Sequence, residues 1–262
     1  MPETIADKNK PGKTTHADHN IVLLLTAAID TKGVPFVARR DPKARLEDYK
    51  ASLALWLGNP HTPSIIFAEN TGHDLVEIKN ICETNNPHDI AVEFISFDDN
   101  EFDRSRGKGY GELRIIARAL RDSKIITTQT RLIKVTGRLY VPNIRTLVRG
   151  ILSQPKAEVF CDFRCNMTWA DSRAFCASAR FFQDFMIPKQ QDINDAVGTT
   201  YEHVLARAAH HCMADGHEWA MMPCTAVLHG VSGTSNRAYP RSPFSLVKRE
   251  LFRRIKTAIL TR

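Results

Sequence analysis

The alternation of short apolar runs with helix-forming segments is the feature of this sequence that most limits its fold. Residues 21–26, 64–68 and 91–97 are apolar runs of strand length, and such unbroken hydrophobicity is typical of strands covered on both faces. Between the first two runs, Asp41 and Pro42 form a helix start, with Asp as the N-cap and Pro as the first helical residue. This strand–helix–strand order predicts a mostly parallel α/β sheet flanked by helices.

The same alternation continues through the rest of the chain. Further apolar runs of strand length lie at 132–135, 158–163 and 226–231. Pro142 starts another helix, and Thr199 or Thr200 is the expected cap of a helix that ends near residue 213. We therefore expect one domain over residues 21–240, preceded by a disordered polar lead at 1–20.

A glycine-rich basic stretch, RSRGKGYG, precedes the helical pattern that leads to the fourth strand. Its basic residues are Arg104, Arg106 and Lys108, and its glycines are Gly107, Gly109 and Gly111. Backbone N–H groups at a helix N-terminus, with basic side chains beside them, bind phosphate oxygens. The stretch predicts a phosphate cradle, although glycines that only shape a tight loop would give the same pattern.

Polar residues follow the first three predicted strands at the edge of the sheet where ligands bind. In parallel α/β sheets the ligand lies outside the carboxyl ends of the strands. The residues expected there are Thr26, Ala28, Glu69, Asn70, Asp98 and Asp99.

The net charge limits the kinds of partner that fit this protein, and the cysteines indicate its cellular compartment. A formal net charge of +7 and a pI near 9.2 favour nucleic acid, a nucleotide or an anionic membrane surface as partner. No run of about 20 apolar residues, the length of a spanning helix, occurs, and residues 1–20 lack the apolar core of a signal peptide. Six scattered cysteines indicate a reducing, cytoplasmic location. Cys161 and Cys165 lie four apart, but no second pair at a zinc-ligand spacing follows.

The last segment, residues 241–262, has the pattern of a basic amphipathic helix. Its apolar residues on one face are Phe244, Val247, Leu251, Ile255 and Ile259. Such a helix can lie in the interface of an anionic membrane with its apolar face down. A helix docked on the domain with a solvated basic side is the alternative.

Seven phrases, taken in their order along the chain, carry a family resemblance. They are LLLTAAID, RLEDYKASLALWL, IIFAENTG, GKGYGELRIIARAL, LIKVTGRLYVPNI, YEHVLARA and HGVSG. Together they resemble bacterial glycosyltransferases of capsule and lipopolysaccharide synthesis, which are of the GT-A type with a Rossmann-like sheet. The resemblance implies a nucleotide-binding half at 21–145, an acceptor half at 146–240, and transfer from a nucleotide-diphosphate sugar to a glycan, expected to be lipid-linked.

The resemblance also implies which residues hold the donor. Thr26 and Ala28 would line the base, and Glu69 and Asn70 would bind the base or ribose. The diphosphate would contact Gly107, Lys108 and Gly109 of the glycine-rich stretch. A closing loop at 232–235 would contact it as well.

One departure from the family pattern concerns the metal. Enzymes of this type carry Asp-x-Asp after the fourth strand to hold a divalent cation, and here that place is Thr136, Gly137 and Arg138. Since developing negative charge on the leaving phosphate needs a cation, Lys134 and Arg138 are expected to supply it without metal. Mg²⁺ or Mn²⁺ on Asp98 and Asp99 is the alternative.

Inverting transfer to a sugar hydroxyl needs a carboxylate that takes the proton of the acceptor. The resemblance places Glu202 where related enzymes carry this base, and Asp195 is the second choice. An acidic residue in the first helical turn that only stabilises the helix dipole would look the same.

Two other functions fit parts of the sequence. A sugar nucleotidyltransferase would share the first half of the fold. A basic nucleic-acid-binding protein would need aromatic stacking residues along a basic stripe, but the aromatic residues here lie in apolar runs. We therefore expect an enzyme on the cytoplasmic face of the plasma membrane, without a nucleic-acid partner.

Overall fold

A seven-stranded sheet forms the centre of the protein. The structure is a computed structural model and describes residues 21–99, 102–239 and 243–260, so the predicted disordered lead lies outside the described residues. The strands are β1 (Ile21–Ala27), β2 (Ser64–Glu69), β3 (Val92–Ser96), β4 (Arg131–Thr136), β5 (Leu139–Tyr140), β6 (Ala157–Phe160), β7 (Phe163–Arg164), β8 (Trp169–Ala170), β9 (Ala174–Ser178), β10 (Glu218–Ala220) and β11 (His229–Gly230). The helices are α1 (Pro42–Leu57), α2 (Val76–Thr84), α3 (Lys108–Asp122), α4 (Ile144–Leu152), α5 (Ala179–Phe181), α6 (Tyr201–Ala214) and α7 (Pro243–Leu260).

The strands follow the order β10-β6-β9-β4-β1-β2-β3. β1 pairs in parallel with β2 and β4, β2 pairs in parallel with β3, and β6 pairs in parallel with β10. β9 is antiparallel to both of its neighbours, β4 and β6. The predicted fold class, a mostly parallel sheet flanked by helices with a C-terminal helix, is confirmed.

Helices cover both faces of this sheet, as the unbroken apolar strands predict. Tyr49, Leu53 and Trp56 of α1 pack with α2 and α4 on one face, and α3 and α6 pack on the other. The start of α1 is confirmed, because the carboxylate of Asp41 accepts hydrogen bonds from the N–H groups of Lys43 and Ala44.

The glycine-rich stretch differs from its prediction as a loop. α3 begins at Lys108, so Gly109 and Gly111 lie in its first turn. A Cβ on Gly109 would come within 2.9 Å of Tyr201 Cβ, and one on Gly111 would come within 3.0 Å of the Phe102 ring. These two glycines therefore let neighbouring side chains approach the helix, and they do not free N–H groups in a loop.

The predicted strand at 226–231 is wrong for most of its length. β11 pairs there antiparallel to β5, and Val231 forms an isolated antiparallel bridge with Ala238. Asn143 takes the place of a partner strand, because its side chain accepts from Val227 N at 3.1 Å and donates to Thr225 O at 2.9 Å. The predicted strand at 158–163 is likewise divided between β6 and β7.

The C-terminal helix is attached to the domain by a charged contact. Glu250 accepts from Thr225 N at 3.0 Å, and Arg253 pairs with Glu250 and donates to Met222 O at 3.2 Å. Val247, Leu251, Phe252 and Ile255 are exposed along the helix, whereas the side chains of Phe244 and Ile259 are outside the described set. Among the described helices, none is long and apolar enough to cross a membrane.

Candidate functional site

A cavity of about 450 Å³ opens at the carboxyl ends of β1, β2 and β4. These ends contribute Thr26, Asn70 and Thr136, which meet because Thr26 is the register partner of Thr136 and β2 lies on the other side of β1. The first turns of α3 and α6 and residues 231–234 form the other walls. The cavity therefore lies where parallel sheets bind their ligands.

Most of the site residues predicted from the sequence line this one cavity. They are Thr26, Ala28, Asn70, Lys108, Gly109, Thr136, Arg138, Asp195 and Glu202. The predicted residues outside its lining are Glu69, Gly107, Lys134 and Gly137.

Two cationic side chains reach the cavity from opposite parts of the sequence and meet the same loop. Arg138 is 7% exposed, and its Nη1 donates to Val231 O at 2.7 Å. Lys108 Nζ donates to Thr234 Oγ1. Within the described residues, Arg138 Nε is buried without a hydrogen-bond partner. Residues 231–234 thus hold both cations at the wall of the cavity, and Arg138 Nη1 also lies 4.0 Å from Asp48 Oδ2.

A chain of hydrogen bonds connects two carboxylates that line the cavity, Glu112 and Glu202. Glu112 Oε1 accepts from Thr26 Oγ1 at 2.9 Å and lies 2.6 Å from Lys134 Nζ. Lys134 also donates to Ser172 O at 2.8 Å, and Ser172 Oγ donates to Glu202 Oε1 at 2.7 Å. Glu112 and Glu202 are therefore oriented by one network that passes through a buried lysine.

Lys134, which the sequence predicted to meet the leaving phosphate, lies outside the lining of the cavity. Its side chain is fully buried and its ammonium is neutralised by Glu112. Sequence reasoning missed Glu112, although a signal was present: a lysine inside the apolar strand LIKV must have a buried acidic partner, since unpaired buried charges are very costly. Gly137 is also structural, because its N–H donates to Thr26 O at 2.9 Å and a Cβ there would lie 2.8 Å from that oxygen.

A carboxylate of the protein itself lies against the predicted phosphate cradle at the start of α3. Gly107 has φ of 86°, and a Cβ on it would meet Asp195 Oδ2 at 2.0 Å. Burial raises the pKa of Asp195, and Lys108 together with the backbone N–H groups at the start of α3 opposes this shift. Asp195 therefore faces the backbone cradle, and Gly107 makes room for it.

The remaining basic residues of the stretch point away from the cavity. Arg104 donates to Lys32 O, and Arg106 donates to Gln191 O while it lies over the Tyr110 ring at 4.5 Å. Their part in the predicted phosphate site is wrong in this structure. Lys108 is the basic residue of the stretch that lines the cavity.

Glu69 is fully buried beside the cavity. Its carboxylate accepts from Ile29 N at 3.1 Å and from Thr71 N at 2.9 Å. These bonds fix the loops that follow β1 and β2, so we assign Glu69 a structural role in place of the predicted contact with base or ribose.

The acidic residues after β3 do not form the alternative metal site. Asp99 is paired with Arg114, and Asp98 lies 3.6 Å from Lys32 Nζ. Both are outside the cavity lining. Across 21–99, 102–239 and 243–260, no group of three His, Cys, Asp or Glu residues is arranged to hold a metal ion.

Comparisons with known proteins find solved structures that are similar to this chain at low identity. No protein-family model matches the sequence, and no curated protein is significantly similar to it. The mannosyltransferase PcManGT from Pyrobaculum calidifontis, solved with GDP-Man and Mn²⁺, is 11% identical, with 92% of this chain and 64% of that chain covered and a TM-score of 0.43. The glycosyltransferase GlyE from Streptococcus pneumoniae is 6% identical, with 77% and 44% covered and a TM-score of 0.46.

A third solved structure is 4-diphosphocytidyl-2C-methyl-D-erythritol synthase from Anaerococcus prevotii. It is 10% identical, with 90% of this chain and 97% of that chain covered and a TM-score of 0.43. This chain spans less than two thirds of the length of each of the two glycosyltransferases. Similarity at this level does not establish a shared function, so the function must be argued from the cavity itself.

Proposed function

We propose that this protein is a glycosyltransferase that transfers a sugar from a nucleotide-diphosphate sugar to a glycan acceptor, expected to be lipid-linked. One observation carries the proposal: the cations Lys108 and Arg138 and the carboxylates Glu112 and Glu202 line a single cavity. A nucleotide sugar joins two phosphates to a polyhydroxy ring, so cations beside carboxylates suit its two parts. The cavity volume of about 450 Å³ is also in the usual range for small-molecule sites.

The nucleoside is proposed to lie at the ends of β1 and β2. Thr26, Ala28 and Asn70 line the cavity there. Ala28 is held by its neighbours, since its N–H donates to the Tyr49 hydroxyl at 2.9 Å and its carbonyl accepts from Arg45 Nε at 2.7 Å. This part of the wall is therefore fixed before a ligand arrives, which lowers the entropic cost of binding.

The leaving diphosphate is proposed to be stabilised by side chains. Arg138 occupies the place of the second Asp in Asp-x-Asp, and its guanidinium lines the cavity as a charged donor group for phosphate oxygens. The carboxylates of the cavity are a poor set for a dedicated metal site, because Glu112 is paired with Lys134 and Asp195 lies against Gly107 at the start of α3. A Mg²⁺ or Mn²⁺ ion that arrives with the donor is the alternative.

Glu202 is the proposed general base of an inverting transfer. It lies in the first turn of α6, lines the cavity, and is oriented by Ser172. Asp195 stays the second candidate, because it also lines the cavity and burial raises the pKa of its carboxyl group.

The experiment that tests this function is a ligand panel followed by product analysis. We expect UDP, GDP or CDP, and a sugar derivative of the same nucleotide, to raise the melting temperature, because a ligand at about 100 times its dissociation constant adds roughly 2.7 kcal/mol. Turnover should release the nucleoside diphosphate. Release of pyrophosphate would support the nucleotidyltransferase instead, and absence of stabilisation by the whole panel would overturn both.

A role at an anionic membrane is proposed for α7. Val247, Leu251 and Ile255 recur at every fourth residue and are exposed, Phe252 lies beside them, and Lys248 is exposed on the same helix. Exposed apolar side chains with basic neighbours suit the interface of an anionic bilayer. This would hold the enzyme next to a lipid-linked acceptor on the cytoplasmic face.

We expect the wild-type protein to sediment with vesicles that contain phosphatidylglycerol and not with pure phosphatidylcholine vesicles. Phe252→Glu combined with Ile255→Glu should abolish sedimentation, because two charges would enter the apolar face. Val76→Glu combined with Val197→Glu changes two exposed apolar residues elsewhere and serves as the control. Equal sedimentation of both double variants would contradict the proposal.

A further inference from the structure

The hydroxyl group of Tyr201 is buried without a partner. Tyr201 is 2% exposed, and within the part of the chain that the structure describes its hydroxyl makes no hydrogen bond. Such groups are rare, since burying an unpaired hydroxyl lowers stability. Tyr201 nevertheless lines the cavity, at the start of α6. A hydroxyl group that has no partner among the described residues, on a side chain of the cavity wall, is a donor that a bound ligand can use.

Glu112 presents an unused oxygen to the same cavity. Its Oε1 is taken by Thr26 and Lys134, whereas no described residue donates to Oε2. The side chain is 21% exposed and belongs to the cavity lining. Lys134 lies next to both Glu112 and Tyr201. Its ammonium pairs with Glu112 and lies 5.7 Å from the centre of the Tyr201 ring.

We infer that Glu112 and Tyr201 bind ring hydroxyl groups of the donor sugar, an assignment that rests on the proposed function. A sugar hydroxyl both donates and accepts a hydrogen bond. The Oε2 atom of Glu112 accepts from one hydroxyl, and the Tyr201 hydroxyl donates to it or to its neighbour. The two residues thereby select the sugar and fix its anomeric carbon relative to Glu202.

The charges around this subsite exclude the other ligand classes that the cavity could take. A phosphate here would face the carboxylates of Glu112 and Glu202, so it is directed to the side of Lys108 and Arg138. A divalent cation would approach the ammonium of Lys134, which shares the Oε1 atom of Glu112. A neutral group with many hydroxyls is repelled neither by the carboxylates nor by the ammonium of Lys134. Its hydroxyls can hydrogen-bond with Glu112 Oε2 and with the Tyr201 hydroxyl.

Replacement of Tyr201 by Phe should affect ligand affinity without lowering stability. Tyr201→Phe removes a hydroxyl that has no partner in the free protein, so the melting temperature without ligand should stay the same or rise. The same change should weaken the sugar nucleotide about 3- to 10-fold, the effect of one lost neutral hydrogen bond. A residue with only a packing role would show no loss of affinity.

The test compares each sugar nucleotide with its own nucleoside diphosphate, such as UDP-glucose with UDP and GDP-mannose with GDP, by isothermal titration. The wild type should bind the nucleotide sugar more tightly than the nucleoside diphosphate, and we call this ratio of affinities the sugar increment. Tyr201→Phe and Glu112→Gln should reduce the sugar increment, the second by about 10- to 100-fold because its hydrogen bond involves a charge. The affinity for the nucleoside diphosphate should stay within about twofold in both variants.

Control variants distinguish effects on folding from effects on ligand binding. Glu112→Gln combined with Lys134→Met removes both charges of the buried pair, so it tests the subsite even if the single variant is unstable. Tyr140→Phe removes a hydroxyl that accepts from Asn59 at 3.0 Å, and Glu93→Gln alters a carboxylate bonded to Ser123 and Lys124. Both lie outside the cavity lining and should keep the full increment.

The possible failures are distinguishable. If no nucleoside diphosphate or nucleotide sugar binds the wild type, the proposed function fails and this inference fails with it. If nucleoside diphosphates bind but the sugar adds no affinity, or if the increment survives in Tyr201→Phe and in both Glu112 variants, the sugar subsite alone is overturned. An equal loss for the nucleoside diphosphate would also overturn it, because the two side chains would then contact the nucleotide.

Discussion

Replacement of Glu202 by Gln is expected to lower the turnover number by about two to four orders of magnitude, the usual contribution of general base catalysis. The amide oxygen of Gln can still accept from Ser172 Oγ, so the geometry of the site is retained while the base is lost. Donor affinity should change little, because Glu202 is proposed to act on the acceptor. Turnover and donor binding should be measured on the same preparation.

Two comparisons make the role of Glu202 specific. Glu218→Gln changes an exposed carboxylate on β10 that is outside the cavity lining, and it should be neutral. Asp195→Asn should reduce turnover less than Glu202→Gln does. If Glu202 only stabilised the helix dipole, its replacement would alter stability by about 0.3–1 kcal/mol and leave turnover intact. That result would remove it from the mechanism.

Replacement of Arg138 by Gln is expected to lower turnover by about 10²–10³, the effect of removing one preorganised donor from developing negative charge. Arg138→Lys should recover part of the rate, because lysine restores the charge but not the forked geometry. Arg138 is nearly buried and is held by Val231 O, so its position does not depend on the ligand. Rates at saturating donor measure the effect.

A chelator separates side-chain stabilisation from metal catalysis. Wild-type turnover should persist in excess EDTA if Arg138 and Lys108 carry the charge of the leaving group. Loss of activity that Mg²⁺ or Mn²⁺ restores would reject this assignment. Arg145→Gln, an exposed arginine on α4, is the matched control for Arg138→Gln and should keep full activity. Melting temperatures of all variants show whether each is folded.

Local signals in the sequence predicted the first half of the fold well. The Asp41 cap and the Pro42 start of α1 depend only on neighbouring residues, and the apolar runs of β1, β2 and β4 show burial on both faces directly. The stretch at 226–231 was harder, because its apolar residues resemble a strand while Asn143 takes over its backbone hydrogen bonds.

The candidate site shows the same division between local and long-range information. Since parallel strands place their carboxyl ends at one edge, Thr26, Asn70 and Thr136 could be expected near a ligand before the structure was known. The position of Asp195 beside the phosphate cradle could not be expected, because this residue comes to the start of α3 from a distant segment. A helix N-terminus binds any nearby anion, and the sequence contains many candidates for it.

The sequence by itself determined the order of strands and helices in the first half of the chain, the edge of the sheet where the cavity lies, and the basic amphipathic character of α7, because periodicity, capping and charge are local properties. Only the tertiary structure decided that Glu112 pairs with Lys134, that Asp195 lies against Gly107 at the start of α3, and that the buried Tyr201 hydroxyl has no hydrogen-bond partner among the described residues. These facts depend on which side chains meet across the fold, and pairing between distant residues leaves no periodic pattern in the sequence.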